Sequence, residues 1–277
     1  MLLAFLAVGA HLHREWHLGQ VNFVLLALYA TITLLWLRGK FAALGCVLAI
    51  SLFIKPFGLI FIPYLLLRLK FKPIAYAVGC SVLLGLLPFL LYPSVSAFTQ
   101  LYQSWVQELL LEMSAKQSLL KEENHTIFSV VARYTPLRFL LGSGTAIKVY
   151  QLSMLAAIGV YVLWFIHMGR KLQKAVVADM AILIILIPLL AYTSQNAFLF
   201  ALPCIVLVLY SYPTLTVTAK ALTIAGCVLI GINIRDLMGS HLYSILEDAS
   251  IYTFGAVMLI AAVTMLRYQH HRQAERV

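Results

Sequence analysis

Eight long apolar stretches, separated by short polar segments, organise this chain. No alternation of the kind seen in ten-residue barrel strands occurs, so each stretch is predicted to be helical. Hydrophobic residues make up 62% of the chain and charged residues only 11%, whereas a soluble domain is about half apolar and a quarter charged. The pattern therefore predicts an all-α, polytopic transmembrane helix bundle, an integral membrane protein. The stretches are 21–37, 41–67, 73–92, 147–167, 177–192, 197–210, 215–234 and 251–266.

The stretch 41–67 cannot be a single crossing. Lys and Arg collect on the cytoplasmic side of membranes, yet basic residues flank this stretch at both ends, at 38–40 and 68–72. The sequence F-I-K-P-F-G at 53–58 resolves the conflict, because proline and glycine both interrupt helices. We therefore predict a broken helical hairpin of two halves, each about 20 Å long, with Lys55 and Pro56 near its turn.

With this hairpin in place, the remaining stretches alternate in direction and nearly every basic cluster falls on the cytoplasmic side. Residues 1–277 are then a single transmembrane domain, with a long outer-face segment at 93–138 and a cytoplasmic tail at 267–277. The net charge of +10 follows from these basic loops, so no nucleic-acid partner is expected. Polar groups gather instead on the non-cytoplasmic side, at 19–20, 93–138, 193–196 and a polar loop predicted at 235–248.

The first residues form an apolar run of about ten, which is half the length that a bilayer crossing needs. Residues 1–18 are expected to be the end of a helix whose beginning is absent. Either the chain is a truncated gene product, or this segment is re-entrant. Four cysteines lie in the apolar stretches without C-x-x-C spacing. We expect them to be buried small side chains, with no disulfide framework, no metal site and no cofactor.

The outer-face segment contains an amphipathic pattern that predicts a helix along the membrane interface. This helix is either a cap over the bundle or a ledge that guides a lipid-borne substrate. Its apolar positions are Leu101, Trp105, Leu109 and Met113, and its opposite face carries Gln103, Gln107 and Glu108.

A dense polar cluster follows the amphipathic helix. Its members are Glu122, Glu123, Asn124, His125 and Thr126. Asn124 or Thr126 can cap the next short helix, with the two carboxylates near its positive end. The N-H-T triplet also fits a glycosylation acceptor, which is a weak signal. The functional alternative is that this cluster lines a polar site for a sugar.

Lys55 is predicted near the membrane interior, where a lysine costs about 2.5–3.5 kcal/mol unless it reaches the interface or binds an anion. It either snorkels or pairs within the bundle, or it binds the phosphate of a lipid carrier as a compact point charge. Membrane lipids surround the chain in either case.

Four sequence elements occur in order along the first part of the chain. G-Q-V-N opens a transmembrane helix, I-K-P lies in a hairpin closed by L-L-L-R-L-K-F-K, a tryptophan-bearing interfacial helix follows, and an N-x-[ST]-I/L element precedes an arginine. This order resembles glycosyltransferase family 87, the polyprenol-phosphate mannosyltransferase-like group of the GT-C superfamily. The likeness covers about residues 2–203.

The resemblance implies a GT-C-type fold and an inverting membrane transferase in a bacterial plasma membrane. It would transfer a hexose, typically mannose, from a polyprenyl-phosphate-linked sugar donor to a glycolipid or glycan acceptor at the outer face. No nucleotide-sugar domain is expected. By this likeness the substrate-binding residues are Gln20, Asn22, Lys55, Asn124, Thr126, Gln195 and Asn196.

Two departures from the family pattern concern catalysis. The aspartate that such enzymes place after their first transmembrane helix is absent here, and T-S-Q-N at 193–196 stands where relatives often carry a histidine. The catalytic residue is therefore unknown. Substitutes without a spacing argument are Glu122, Glu123, His125 and Asp236.

Three functions follow as alternatives. The first is a transferase, or a truncated and inactive form of one. The second is a non-catalytic lipid-binding or scaffolding membrane protein, which the missing aspartate favours. The third is a small-molecule transporter, for which the chain lacks the expected internal repeat.

Overall fold

The computed structural model describes residues 2–92, 94–116, 119–170, 172 and 175–275. This part of the chain is almost entirely helical and contains no β-strand, so the all-α prediction is confirmed. Short 3-10 turns connect several helices. The α-helices are α1 (Leu2–His17), α2 (Asn22–Leu37), α3 (Phe41–Ile54), α4 (Phe61–Leu67), α5 (Phe71–Leu86), α6 (Val95–Lys116), α7 (Ile127–Tyr134), α8 (Gly144–Met168), α9 (Ala175–Leu190), α10 (Leu202–Tyr210), α11 (Val217–Gly231), α12 (Arg235–Asp248) and α13 (Ile251–Glu275).

Three helical segments in the described residues are long and apolar enough to cross a membrane: Phe71–Leu90, Gly144–Met168 and Ile251–Glu275. The pair α11 and α12 would count as a fourth, although its two helices are bent by 97°. The other apolar stretches form shorter apolar helices, such as α2, α3 and α9. The polytopic bundle is thus confirmed, and the membrane side of each end stays a prediction.

The chain divides into two compact units, Val24–Ser118 and a larger unit made of Met1–Phe23 and Leu119–Val277. We call them the hairpin unit and the main unit. Each is described by itself, and the prediction of a single domain over 1–277 stays a prediction.

The hairpin unit contains the predicted helix break. Helix α3 ends at Ile54, Lys55 adopts an extended conformation with φ −151° and ψ 138°, and a 3-10 turn begins at Pro56. The chain then folds back, since Gly58 lies against the side chains of Ser51 and Leu48 in α3. Proline and glycine therefore end the helix where the sequence predicts.

Both ends of this hairpin lie at the same end of the hairpin unit. The ammonium of Lys70, just after α4, stacks 4.9 Å from the ring centroid of Phe41, the first residue of α3. Trp36 at the end of α2 also packs on Tyr64 in α4, with ring centroids 5.2 Å apart. The two basic turns therefore meet, which confirms the broken hairpin inferred from the basic flanks.

Helices α3 and α5 approach each other most closely at Gly45. A Cβ atom there would collide with the carbonyl oxygen of Pro73 and lie 2.7 Å from Cβ of Tyr76. Small residues allow such close packing of apolar helices. The same contact brings the thiol sulfurs of Cys46 and Cys80 within 2.8 Å, a pairing that their separation in sequence did not indicate.

The predicted interfacial helix is present as α6, and its location at a membrane interface stays a prediction. Tyr102 is half-buried and donates a hydrogen bond of 2.5 Å to the carbonyl of Gly85. Trp105 remains 55% exposed, as expected for a ring at headgroup depth. Pro93 and the side chains of Leu109 and Met113 lie outside the described residues.

In the main unit one buried ion pair lies at the end at which α8 finishes. The guanidinium of Arg267 in α13 donates to the carboxylate of Asp179 in α9 at 2.6 Å and to the carbonyl oxygen of Phe165 in α8 at 3.1 Å. Both charged residues are almost completely buried. Arg267 is thus a helical residue in a helix that continues to Glu275, and the cytoplasmic side of 267–277 stays a prediction.

The segment 235–248, predicted as a polar loop, is instead the helix α12. It turns away from α11 by 97° after the break at 232–234, and Gly239 interrupts it with a φ of +73°. The prediction was wrong because the segment lacks an apolar run long enough to be recognised as a helix in the sequence. Its apolar residues, such as Leu242 and Ile245, are spaced three or four apart, as in a surface helix.

Replacing Gly45 by alanine tests the close packing of α3 and α5. The new methyl group meets backbone atoms of α5, so we expect a loss of about 1–3 kcal/mol in stability. Gly79→Ala in α5 is the matched control, because no atom lies within 4 Å of a Cβ there. That change should be neutral or stabilising by up to about 1 kcal/mol. Thermal unfolding in detergent measures both, and equal behaviour of the two variants would contradict the packing.

Candidate functional site

Buried polar side chains concentrate at one end of the main unit, the end at which α1 and α11 finish and α13 begins. We call this region the polar end. Its buried polar or charged residues include His11, Glu15, Asn22, Asn124, His125, Thr126, Asn196, Asn233 and Ser250. Because burying a polar group without a partner is costly, the hydrogen bonds in this region determine what it can do.

Glu15, at the end of α1, holds the start of α2. Its carboxylate accepts hydrogen bonds from the backbone N–H of Asn22 at 2.9 Å and of Phe23 at 3.3 Å, and from the side-chain amide of Asn22 at 2.7 Å. A carboxylate at a helix N-terminus is stabilised by the N–H groups that have no partner within the helix. Asn22 is therefore tied into the turn between α1 and α2.

Gln20 links this turn to the segment after α9. Its side-chain oxygen accepts hydrogen bonds from the amide of Asn22 and from the hydroxyl of Ser194, both at 3.2 Å. A 3-10 helix, Gln195–Ala201, follows at once and is buried from Asn196 onward. The predicted residues at positions 20, 22 and 195 are thus brought to the same place.

Gln195 is the centre of a chain of hydrogen bonds. Its oxygen accepts from the Tyr252 hydroxyl at 2.7 Å, and its amide nitrogen donates to the Tyr243 hydroxyl at 2.7 Å. The side-chain amide of Asn233 donates to Tyr252 at 2.8 Å and to the carbonyl oxygen of Tyr243 at 3.3 Å. We call these four side chains the amide–phenol chain.

Two residues of α1 flank the amide–phenol chain. The ring of His11 lies edge-on to Tyr252 at 5.3 Å, and its Nε2 is 3.0 Å from the carbonyl oxygen of Ile230. The guanidinium of Arg14 stacks 5.0 Å from the ring centroid of Tyr243. A positive charge therefore lies against the phenol ring of Tyr243.

His125 occupies the other side of Tyr252. Its ring centroid is 5.7 Å from that of Tyr252, and its Nδ1 is 3.0 Å from the hydroxyl of Ser250. Arg133 donates to the same hydroxyl at 2.5 Å. Burial is the main cause that lowers the pKa of His125 to about 4, and the nearby Arg133 adds to the effect while Asp248 opposes it. The imidazole is neutral at pH 7.

Asn124 and Thr126 organise the start of α7. Thr126 is the N-cap, and its hydroxyl oxygen accepts from the backbone N–H of Ser129 at 3.3 Å. The side-chain oxygen of Asn124 accepts from the Thr126 hydroxyl at 2.7 Å and from its backbone N–H at 3.1 Å. The capping alternative is confirmed for Thr126. The predicted role of both residues in substrate binding stays a prediction.

Some buried polar atoms at the polar end have no hydrogen-bond partner among the described residues. They include Nδ1 of His11, Oδ1 of Asn196 and Oδ1 of Asn233. Each unpaired buried group costs about 1–3 kcal/mol, so a region that keeps several of them is suited to an occupant with hydroxyl groups. No cluster of three or more metal-ligating side chains occurs in the part of the chain that the structure describes.

The other predicted site residues form none of the side-chain hydrogen bonds described above. Glu122 and Glu123 are exposed, and so is Asp236 in the first turn of α12. Lys55 lies in the hairpin unit, where it is half-buried and its ammonium is 5.6 Å from the ring centroid of Phe57. That Lys55 shares one pocket with Gln20 and Asn124 stays a prediction.

Sequence reasoning missed the residues that complete the network. Tyr243 and Asn233 lie in or beside the segment that was interpreted as a loop, and Tyr252 lies at the start of an apolar stretch. His11 and Arg14 share one face of α1 at a spacing of three residues, a signal that the N-terminal run contained. That spacing could have indicated a polar stripe on an otherwise apolar helix.

The lowered pKa of His125 predicts a pH dependence of stability. Between pH 6.5 and 4 the unfolded chain binds a proton that the folded chain does not, so this contribution is complete above pH 6.5 and is lost as the pH falls towards 4. The expected loss is about 3 kcal/mol. His125→Asn keeps a polar atom near Ser250 and removes the titration. Unfolding in detergent at pH 7.5 and pH 5 should therefore differ less in this variant than in the wild type, and an equal difference would contradict the assignment.

Comparison with known proteins agrees with the resemblance seen in the sequence elements. The family profile described as glycosyltransferase family 87 matches residues 1–193, which is more than half of the chain. No curated protein and no solved structure matches this chain significantly. The match includes α1, the broken hairpin, α6 and α7, and it ends just before Gln195. The chain therefore belongs to glycosyltransferase family 87.

Proposed function

We propose that this membrane glycosyltransferase transfers a hexose, typically mannose, from a polyprenyl-phosphate donor to a glycolipid or glycan acceptor. The proposed site is the polar end of the main unit, at the non-cytoplasmic face of the membrane. We also propose a GT-C-type arrangement of the bundle. No metal or cofactor is required, because a sugar linked to a lipid phosphate is already an activated donor.

The unpaired buried atoms beside the amide–phenol chain carry this proposal. His11 and Asn233 are each 1% exposed, and each keeps one polar atom without a partner among the described residues. Sugar hydroxyls both donate and accept hydrogen bonds, so they match a site of this mixed character. Convergent neutral polar groups in an apolar frame are the usual composition of a small-molecule site.

The orientation of the amide groups supports recognition of an uncharged ligand. The side chains of Gln195 and Asn233 are held by neighbouring phenols, and Gln20 is held by Asn22 and Ser194. Side chains that are fixed before binding lose little rotamer entropy when a ligand binds. A sugar would therefore meet a preorganised surface.

Lys55 is the proposed partner of the donor phosphate. It is the one residue of its turn that adopts an extended conformation between two helices, and it is half-buried. An ammonium group contributes a strong charge-assisted hydrogen bond to a phosphate oxygen. The broken hairpin would in this way present a cation to a lipid-borne group.

A non-catalytic, lipid-binding or scaffolding role is the second candidate. The observation that favours it is the use of Glu15, whose carboxylate accepts three hydrogen bonds at the start of α2. A carboxylate committed to capping is a poor general base. A measured sugar transfer decides between the two functions.

Transfer activity with polyprenyl-phosphate mannose as donor and octyl mannoside as acceptor tests the proposal. The wild type should form the disaccharide product, and Gln195→Ala should lower kcat/KM by about 100-fold, because it releases two phenols that position the site. Gln273→Ala, an exposed glutamine near the end of α13, is the matched control. Absence of transfer by the wild type would favour the scaffolding role.

Binding of a polyprenyl phosphate tests the role of Lys55. Lys55→Ala should raise the Kd about tenfold, since hydrogen bonds to charged groups contribute about 1.5–3 kcal/mol. Lys40→Ala, in the exposed turn between α2 and α3, should leave it unchanged. An unchanged Kd in Lys55→Ala would remove the phosphate role from this residue.

A further inference from the structure

Ser250 joins α12 to α13 in a backbone conformation that serine rarely adopts. Its φ is +54°, in the left-handed region, and the residue is completely buried. This conformation costs free energy for any residue with a Cβ atom, so contacts with the surrounding structure must hold it in place. The contacts of this turn therefore determine where the Ser250 hydroxyl lies.

Arg133 of α7 supplies most of these contacts. Its guanidinium donates to the carbonyl oxygen of Asp248 at 2.8 Å and to the Ser250 hydroxyl at 2.5 Å. It also donates to the carbonyl oxygen of Asn124 at 3.3 Å, so one side chain joins the segment before α7 to the turn between α12 and α13. A guanidinium has donors only, and Ser250 must therefore accept this hydrogen bond through its oxygen.

The acceptor role of Ser250 determines the direction of its other hydrogen bond. The hydroxyl oxygen lies 3.0 Å from Nδ1 of His125, and among the described residues no other acceptor is available for the hydroxyl proton. If Nδ1 carried a proton, that buried hydroxyl proton would have no acceptor, which is costly. Ser250 therefore donates to Nδ1 of His125.

This hydrogen bond fixes the tautomer of His125. The imidazole is neutral at pH 7, because burial above all, and Arg133 in addition, lower its pKa to about 4 against the opposing effect of Asp248. A neutral imidazole carries one proton, so a lone pair at Nδ1 leaves that proton on Nε2. His125 is only 4% exposed, and its Nε2 has no hydrogen-bond partner in the part of the chain that the structure describes.

Neighbouring rings and the backbone hold the imidazole beside the amide–phenol chain. Its ring centroid lies 5.7 Å from that of Tyr252 and 6.5 Å from that of Phe198, both in edge-on contacts. The Thr253 hydroxyl donates to the carbonyl oxygen of His125 at 2.5 Å. A buried N–H group without a partner thus lies next to the amides and phenols that are proposed to meet the sugar.

We propose that His125 binds the sugar of the lipid-linked donor through its Nε2–H group, an inference that rests on the proposed function. This N–H donates a hydrogen bond to a hydroxyl oxygen of the hexose. Ser250 and Arg133 are positioning residues, since they hold the imidazole in the donating tautomer. Nε2 has no lone pair in this tautomer, so His125 recognises the sugar and does not act there as a base.

Binding of polyprenyl-phosphate mannose to the full chain in detergent tests this role, with polyprenyl phosphate as the sugar-free probe. The amide of His125→Gln reaches the position of Nε2, whereas the shorter side chain of His125→Asn places its amide near Nδ1. We expect His125→Asn to raise the Kd of the mannosylated lipid about tenfold and His125→Gln to stay within about threefold of the wild type. The Kd of polyprenyl phosphate should be unchanged in both variants.

Histidine-selective 15N NMR of the full chain tests the tautomer in the absence of lipid substrates. In the wild type, Nε2 of His125 should be protonated and Nδ1 unprotonated, and His125→Gln identifies the two resonances by their loss. Ser250→Ala should move the proton partly to Nδ1 and should also raise the Kd of the mannosylated lipid, which decides the question if His125→Asn fails to fold. Ser244→Ala is the matched control, because this serine is exposed and bonded to the carboxylate of Asp248.

The possible outcomes separate the two proposals. Equal affinities of His125→Asn and His125→Gln for the mannosylated lipid overturn the role of Nε2 and leave the proposed function intact. A proton on Nδ1 in the wild type overturns that role as well. A wild type that does not bind polyprenyl-phosphate mannose overturns the proposed function, and the sugar-binding role of His125 with it.

Discussion

The requirement that buried polar groups find partners governs the main unit. The chain supplies few charges, and its helices are apolar on most faces, so every polar side chain taken inside must be paired or carry a cost. At the polar end many of these partners are amides and phenols that connect the turn after α1, the 3-10 helix after α9, α12 and α13, although a few buried polar atoms there keep no partner among the described residues. The same bonds that hold these elements together also fix the side chains that a sugar would meet.

Most of the helices were predictable because apolar stretches and basic flanks are local signals. The hairpin was the clearest example, since lysines and arginines at both ends of one stretch required the chain to turn back, and Lys70 does stack on Phe41. Helix α12 was not predictable in this way. Its charged residues concealed a short amphipathic helix, and its direction depends on the break at 232–234 rather than on its own composition.

The candidate site was only partly predictable from the sequence. Gln20, Asn22 and Gln195 were predicted to bind substrate from the resemblance to the family, and the structure brings them to one region. Their actual partners, Tyr243 and Tyr252, had no distinguishing sequence signal, because tyrosines are common near the ends of membrane helices. Pairing between residues far apart in sequence depends on helix packing, which composition does not describe. The family profile ends at residue 193, so it too left out α12 and α13.

The buried pair of Arg267 and Asp179 has a consequence for the order of assembly. Asp179 is synthesised 88 residues before its arginine, so α9 enters the growing bundle before this counter-ion exists. Removing one partner of a buried ion pair costs about 3–5 kcal/mol, which is a large part of the stability of a domain. Packing of α13 against the bundle therefore brings Arg267 to the aspartate of α9, a helix that is synthesised much earlier. A ribosome that stops before residue 267 would release a bundle that lacks the arginine of this buried ion pair.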